Sequence, residues 1–119
     1  SIKLPRRIPF HVAMELLLTG RRIDAQEAKQ WGLVNEIVPA DRLMERAREL
    51  AQQLAEGPPL VFAAIKEIIR QTSHLPVQEA FDQVTKRRLP TVDRLYSSED
   101  QKEGARAFAE KRKPQWKGK

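Results

Sequence analysis

Helix-breaking residues recur so closely along this chain that no helical stretch can run far. Gly20, Gly32, Pro39, the Gly57-Pro58-Pro59 run, Pro76, Pro90 and Pro114 divide it into short pieces. Proline removes a backbone donor and clashes with the preceding turn, so it is tolerated only where a helix starts or has already stopped. Between these breaks the apolar residues fall three and four apart, the period of one helical face. Val12 to Leu18 carries Ala13, Leu16 and Leu17 on one side and stops at Thr19-Gly20. Asp24 opens a second helix with Asp24-x-x-Glu27 in capping-box register, with Ala25, Ala28 and Trp31 apolar and Gly32 as its end.

A third helix starts near Asp41 with Leu43, Ala47, Leu50, Ala51 and Leu54 in phase. The fourth follows Pro58-Pro59 and turns Leu60, Ala64, Ile65, Ile68 and Ile69 inward. Pro76 opens a fifth with Val77, Ala80, Phe81 and Val84 inward, and Pro90 ends or kinks it. The sixth begins at Ser97 or Ser98 and closes at Lys111-Arg112-Lys113, with acids in its first turn and bases in its last. Leu33–Val38, rich in β-branched residues and stopped by Pro39, predicts one strand or an extended connector. The expectation is a mainly α chain of about six helices and at most one short strand. A single strand cannot pair with itself, so the segment needs a partner or merely runs extended.

Composition excludes several chemistries. With no cysteine there is no disulfide, thiolate metal site or thiol nucleophile. His11 and His74 are too far apart for a metal-site spacing, and each fits a surface or capping role. No metal site and no catalytic residue is assigned. No apolar run is long enough to span a membrane, no apolar signal segment follows the N-terminus, and a cytoplasmic location is the expectation. The first residue is Ser1, not Met, which implies processing, truncation or a fragment.

The net charge of +6 is uneven: residues 1–22 hold five bases and one acid, and the last nine residues hold five bases and no acid. A basic tail attracts phosphates of nucleic acid, lipid or small molecules. A nucleic-acid interface also wants aromatic residues interleaved with the bases, and Tyr96, Trp31 and Trp116 are scattered.

The five glycines stand singly, so no phosphate-cradling loop exists. Gly104 sits inside the sixth helical pattern, where it costs about 1 kcal/mol relative to alanine. Close approach of another group is the expected compensation. Phe108 and Lys111 are three apart and share a face of an ideal helix. Spacing leaves two uses open: a ring and ammonium that receive a purine and its phosphates, or a core phenylalanine with a lysine complementing the helix dipole.

Three runs carry a family resemblance. Ser98, Asp100, Glu103, Gly104, Ala107, Phe108, Glu110, Lys111, Arg112 and Pro114 form a Ser-Asp-Glu-Gly-Ala-Phe-Glu-Lys-Arg-Pro signature. Leu18-Thr19-Gly20-Arg21-Arg22-Ile23-Asp24-Ala25-Gln26-Glu27-Ala28 continues to Gly32-Leu33-Val34-Asn35, and Leu4-Pro5-Arg6 precedes it. In this order they resemble the C-terminal part of the crotonase (enoyl-CoA hydratase/isomerase) superfamily. Ala47–Leu54, Thr72–Ala80 and Phe108–Gly118 further resemble one hydratase subfamily, whereas Thr85–Leu95 matches none closely.

The resemblance implies that residues 1–38 end the crotonase core and residues 39–119 form a helical trimerisation region. It implies a lyase that reversibly hydrates an enoyl-CoA thioester, with coenzyme A present as substrate and no separate cofactor. The family's oxyanion hole and catalytic carboxylates lie upstream of the matched region, which leaves assembly and coenzyme A contact to this part. Phe108 would lie by the adenine and Lys111 would meet a phosphate. The implied partners are acyl-CoA and copies of the chain, as a trimer or dimer of trimers, with no nucleic acid and no membrane. The competing readings are a catalytically silent self-association module and a basic helical nucleic-acid binder.

Overall fold

The computed structural model describes all 119 residues, Ser1–Lys119. Its regular structure is entirely helical: α1 (Phe10–Thr19), α2 (Ala25–Gln30), α3 (Leu43–Ala55), α4 (Pro59–Thr72), α5 (Val77–Thr85), α6 (Pro90–Tyr96) and α7 (Glu99–Ala109). Short 3-10 turns lie at Leu4–Arg6 and Ala40–Arg42. The chain forms two compact units, Ser1–Glu49 and Leu50–Lys119.

In the first unit Ile8, Val12 and Ala13 are buried, with Leu4, Leu16 and Trp31 packed on them. One arginine ties α1 and α2 together. Arg21 follows the left-handed Gly20, donates from Nε to Glu15 at 2.6 Å, and places its fork on Glu27 at 2.6 and 3.0 Å. Glu27 also receives the Trp31 indole N–H at 3.2 Å, and its own N–H donates to Asp24 at 2.8 Å, the expected α2 cap. The Arg21 contact holds the Glu27 carboxyl below its ordinary range against partial desolvation, and the Trp31 N–H adds to it.

Leu33–Val38 forms no strand. The N–H groups of Leu33 and Val34 turn back to the Ala28 carbonyl at 2.8 and 3.4 Å, closing α2 around the left-handed Gly32. No second strand exists in the chain to form a ladder with the rest.

The second unit packs α4 on α6 through Ala64, Leu89 and Val92, with Ile68, Val84 and Leu95 around them. Pro90 does not end α5; it begins α6, a helix in addition to the six expected. Helix α5 has already closed, with Arg87 N–H on Val84 and Arg88 N–H on Gln83 at 3.0 and 2.9 Å, around Arg87 at a left-handed φ of 49°. The fixed φ of proline then suits the first turn of α6. Glu67 of α4 caps α6 from outside, accepting from Thr91 N–H at 2.8 Å and Thr91 Oγ1 at 2.5 Å. Those two bonds, the hydroxyl's first, hold the Glu67 carboxyl below its ordinary range.

Several residues placed inward by periodicity face outward. Helix α3 buries none of its residues, and Ile65, Ile69, Val77 and Phe81 are exposed, Val77 by 72% and Phe81 by 60%. The accessible surface is 9715 Å². Two separate, fully compact bodies of these lengths would expose only roughly 8,000 Å² together. Part of this surface is apolar helix face that the chain does not cover, including Leu43, Met44, Ile65, Ile69, Val77 and Phe81. Exposed apolar area of this extent drives association, so the 119-residue chain is expected to self-associate as concentration rises. Sedimentation velocity across a concentration series checks this, and a monomer persisting at high concentration would contradict it.

Candidate functional site

Helix α7 and the chain after it fold into one hydrogen-bonded assembly. Ser98 caps the helix, its Oγ accepting from Gln101 N–H at 3.1 Å while its hydroxyl donates to Leu95 O at 2.6 Å. The next two N–H groups, on Glu99 and Asp100, donate to the main-chain oxygen of Lys119 at 2.9 and 3.2 Å. First-turn donors that have no partner inside a helix are thus satisfied by the end of the same chain.

The Asp100 side chain completes this clamp. It lies in a residue only 3% exposed and accepts from Lys117 N–H at 2.7 Å and Gly118 N–H at 2.9 Å. Arg94 of α6 adds a bond from Nη2 to Gly118 O at 3.0 Å. Between these points the Trp116 indole lies on α7 where Gly104 leaves room. A Cβ at Gly104 would stand 3.3 Å from the ring's Cη2 and 3.5 Å from Cζ3. The close approach expected at Gly104 is therefore made by an indole of the same chain.

Glu103 anchors the near end of the returning segment. It accepts the Arg112 fork at 2.6 and 3.0 Å and the Gln115 N–H at 2.9 Å. Arg112 also reaches Glu110 at 2.6 Å. The Arg112 fork, then the Gln115 N–H, holds the Glu103 carboxyl at about 2 despite some desolvation. The arginine is correspondingly raised by Glu103 first and Glu110 second.

The helix stops at Ala109, short of Lys111-Arg112-Lys113. Arg112 N–H donates to the Ala107 carbonyl at 3.0 Å and Lys111 N–H to the Phe108 carbonyl at 3.3 Å. This is the Schellman closure, with Lys111 as the left-handed residue at φ 53°. Glycine takes that conformation freely, whereas a side chain at Cβ makes it costly. Phe108 occupies the last turn of α7 and is 88% exposed, so the core use of this ring does not hold in this chain. Because Lys111 lies beyond the helix end, the spacing of three no longer puts the two side chains on one helical face. Both stay exposed.

A groove of about 380 Å³ runs beside α7, bordered by Glu99, Lys102, Arg106, Arg112, Lys113 and Lys117 among others, and neither Phe108 nor Lys111 lines it. No group of three or more His, Cys, Asp or Glu side chains converges anywhere, and no helix is long and apolar enough to cross a membrane. Periodicity missed the ties that Asp100, Glu103 and Trp116 make between α7 and the returning tail. The one signal was the unfavourable Gly104, which marked where something had to approach.

Comparison with known proteins places this geometry. The family model described as enoyl-CoA hydratase/isomerase matches residues 1–119. The carnitinyl-CoA dehydratase of Citrobacter koseri is 49% identical over 117 residues, which cover 98% of this chain and 45% of that protein. The carnitinyl-CoA dehydratase of Salmonella typhimurium is 48% identical over the same extent. Among solved structures, the enoyl-CoA hydratase of Bacillus anthracis superposes with a TM-score of 0.87 at 37% identity, covering 98% of this chain and 44% of that one. The enoyl-CoA hydratase of Mycobacterium tuberculosis H37Rv gives 0.86 at 37% identity, covering 99% and 45%. The chain thus spans about 45% of the length of the curated relatives it matches.

The tie between Glu103 and Arg112 should respond to acid. Folding lowers the Glu103 value from 4.5 to about 2. Its contribution is therefore complete above about pH 4.5 and lost as pH falls through about 2. In a Trp31→Phe background, Trp116 emission should shift across this window as the tail loosens. With Glu103→Gln added the step should vanish; a step of undiminished size would show that other groups govern it.

Proposed function

The chain belongs to the enoyl-CoA hydratase/isomerase family, and from that premise we propose that it is the helical part of an acyl-CoA lyase. The reaction we assign to the whole enzyme is reversible hydration of an enoyl-CoA thioester, with crotonobetainyl-CoA/carnitinyl-CoA or a short-chain enoyl-CoA as substrate. The observation that carries the substrate class is the 49% identity to a carnitinyl-CoA dehydratase over 98% of this chain. The phrases at Ala47–Leu54, Thr72–Ala80 and Phe108–Gly118 resemble that subfamily.

Within this enzyme the chain's role is assembly and coenzyme A contact. Phe108 offers a ring face to the adenine, and its 88% exposure leaves that face free. Lys111 offers an ammonium to a phosphate; it is exposed and forms no ion pair with any carboxylate of the chain. Arg112 and Lys113 stand next to it, so an anion meets a positive field at the end of α7. A lysine bonded to phosphate makes a charge-assisted contact, stronger than a neutral one. The uncovered faces of α3, α4 and α5 fit packing against further copies, as a trimer or dimer of trimers, in the cytoplasm. A self-association module with no chemistry of its own is the second reading, favoured by the same apolar faces.

Two measurements test this. The 119-residue chain alone should not hydrate crotonyl-CoA or crotonobetainyl-CoA, because no oxyanion donors or acid/base pair are assigned to it. Turnover by a chain of verified mass would overturn that. In the complete enzyme, Lys111→Ala should raise KM for the acyl-CoA roughly tenfold, the size of one charge-assisted hydrogen bond, with kcat retained. The KM for an acyl-pantetheine lacking the nucleotide should not move. An equal penalty on both substrates would remove Lys111 from the phosphate site.

A further inference from the structure

Lys111 holds a backbone conformation that its own side chain disfavours, and the residues on either side of it are fastened to α7. Besides the bond from its Nε to Glu110 at 2.6 Å, Arg112 is fastened to α7 at two points. Its N–H bonds the Ala107 carbonyl at 3.0 Å, and its guanidinium meets both oxygens of Glu103 at 2.6 and 3.0 Å. Glu103 and Ala107 are four apart on α7 and so lie along one ridge of the helix. Main chain and side chain of Arg112 therefore grip the same strip of surface. Further along, Gln115 N–H bonds the same Glu103 carboxylate at 2.9 Å. On the other side, Lys111 N–H bonds Phe108 at a longer 3.3 Å. Before Lys111, Glu110 N–H bonds the Arg106 carbonyl at 2.9 Å; beyond it, the side-chain hub that holds the returning chain to α7 is the Glu103 carboxylate.

We propose that Glu103 is a positioning residue for Lys111: by gripping Arg112 it keeps the turn left-handed at Lys111 and so fixes where the ammonium stands for a coenzyme A phosphate. The inference rests on the coenzyme A reading above. Glu103 does not touch the phosphate and, as an anion, would repel it. Removing its charge makes the neighbourhood more positive and by Coulomb attraction alone would tighten phosphate binding. Positioning demands the opposite sign. An Arg112 released from Glu103, with only Glu110 left beside it, would also present a less compensated cation to the phosphate, which strengthens the contrast.

The experiment uses the complete enzyme, with KM and kcat measured on the acyl-CoA and on the matching acyl-pantetheine. Glu103→Gln is expected to raise KM for the acyl-CoA by roughly three- to tenfold, in the range of contacting-pair couplings. It should leave kcat and the acyl-pantetheine KM unchanged, and add nothing when Lys111 is already alanine. Arg112→Lys keeps the charge and loses the fork; it should act in the same direction, and it carries the test if Glu103→Gln does not fold. A lowered or unchanged KM for the acyl-CoA overturns the proposal. So does an equal effect on the acyl-pantetheine, or an effect that persists in the Lys111→Ala background. If Lys111→Ala raises KM and the Glu103 and Arg112 variants do not, positioning alone is wrong. If Lys111→Ala has no effect, the coenzyme A reading fails and this inference with it.

Discussion

Short helices are mostly ends, and how those ends are closed governs this molecule. Each helix leaves four N–H and four carbonyl groups without internal partners, and the seven-residue α6 is little else. The chain closes these ends in three ways. Asp24 and Ser98 cap their own helices. Glu67 and the Lys119 main-chain oxygen reach helix starts from elsewhere in the second unit. At the C-terminal ends of α2, α5 and α7 the backbone folds back on itself around Gly32, Arg87 and Lys111. Burial does less: the second unit's central cluster contains only three buried residues. Polar closure of this kind positions the chain finely while leaving apolar faces free.

The sequence disclosed most of the helices because their boundaries are chemical. Asp24 with Glu27, the Pro58-Pro59 start and the Ser98 cap all appear where their residue types require. Pro90 was harder to place, since proline both ends one helix and begins another. Arg87 in a left-handed turn settled it, and nothing in the identity of an arginine announces that conformation. Of the two readings at Leu33–Val38, strand or extended connector, the strand did not form, for a related reason. β-Branched residues signal fitness for a pleated surface, but a strand also needs a neighbour, and here Ala28 takes the first two donors.

The candidate site was legible in outline. The motif put Phe108 and Lys111 forward as candidates, and the cost of Gly104 marked a point of contact filled by Trp116. The ties through Asp100 and Glu103 were not visible, because Asp100 looked like an ordinary acid favouring the helix start and Glu103 entered only as a member of the family signature. Their partners are backbone N–H groups and an arginine of the returning tail, which no helical spacing connects. Outward-facing Phe81, Val77 and Ile69 show the same limit from the apolar side: periodicity defines a face, and only the surroundings decide what covers it.

Lys111 and Arg87 share one trait: each stands where glycine would be at ease. A glycine at Lys111 would relieve the backbone by an amount on the order of 1 kcal/mol and erase the charge at the end of α7. The position is a balance with the ammonium on one pan and backbone ease on the other. Weighing Lys111→Gly against Lys111→Ala by denaturation would read that balance directly, because both lose the charge and only one keeps the strain.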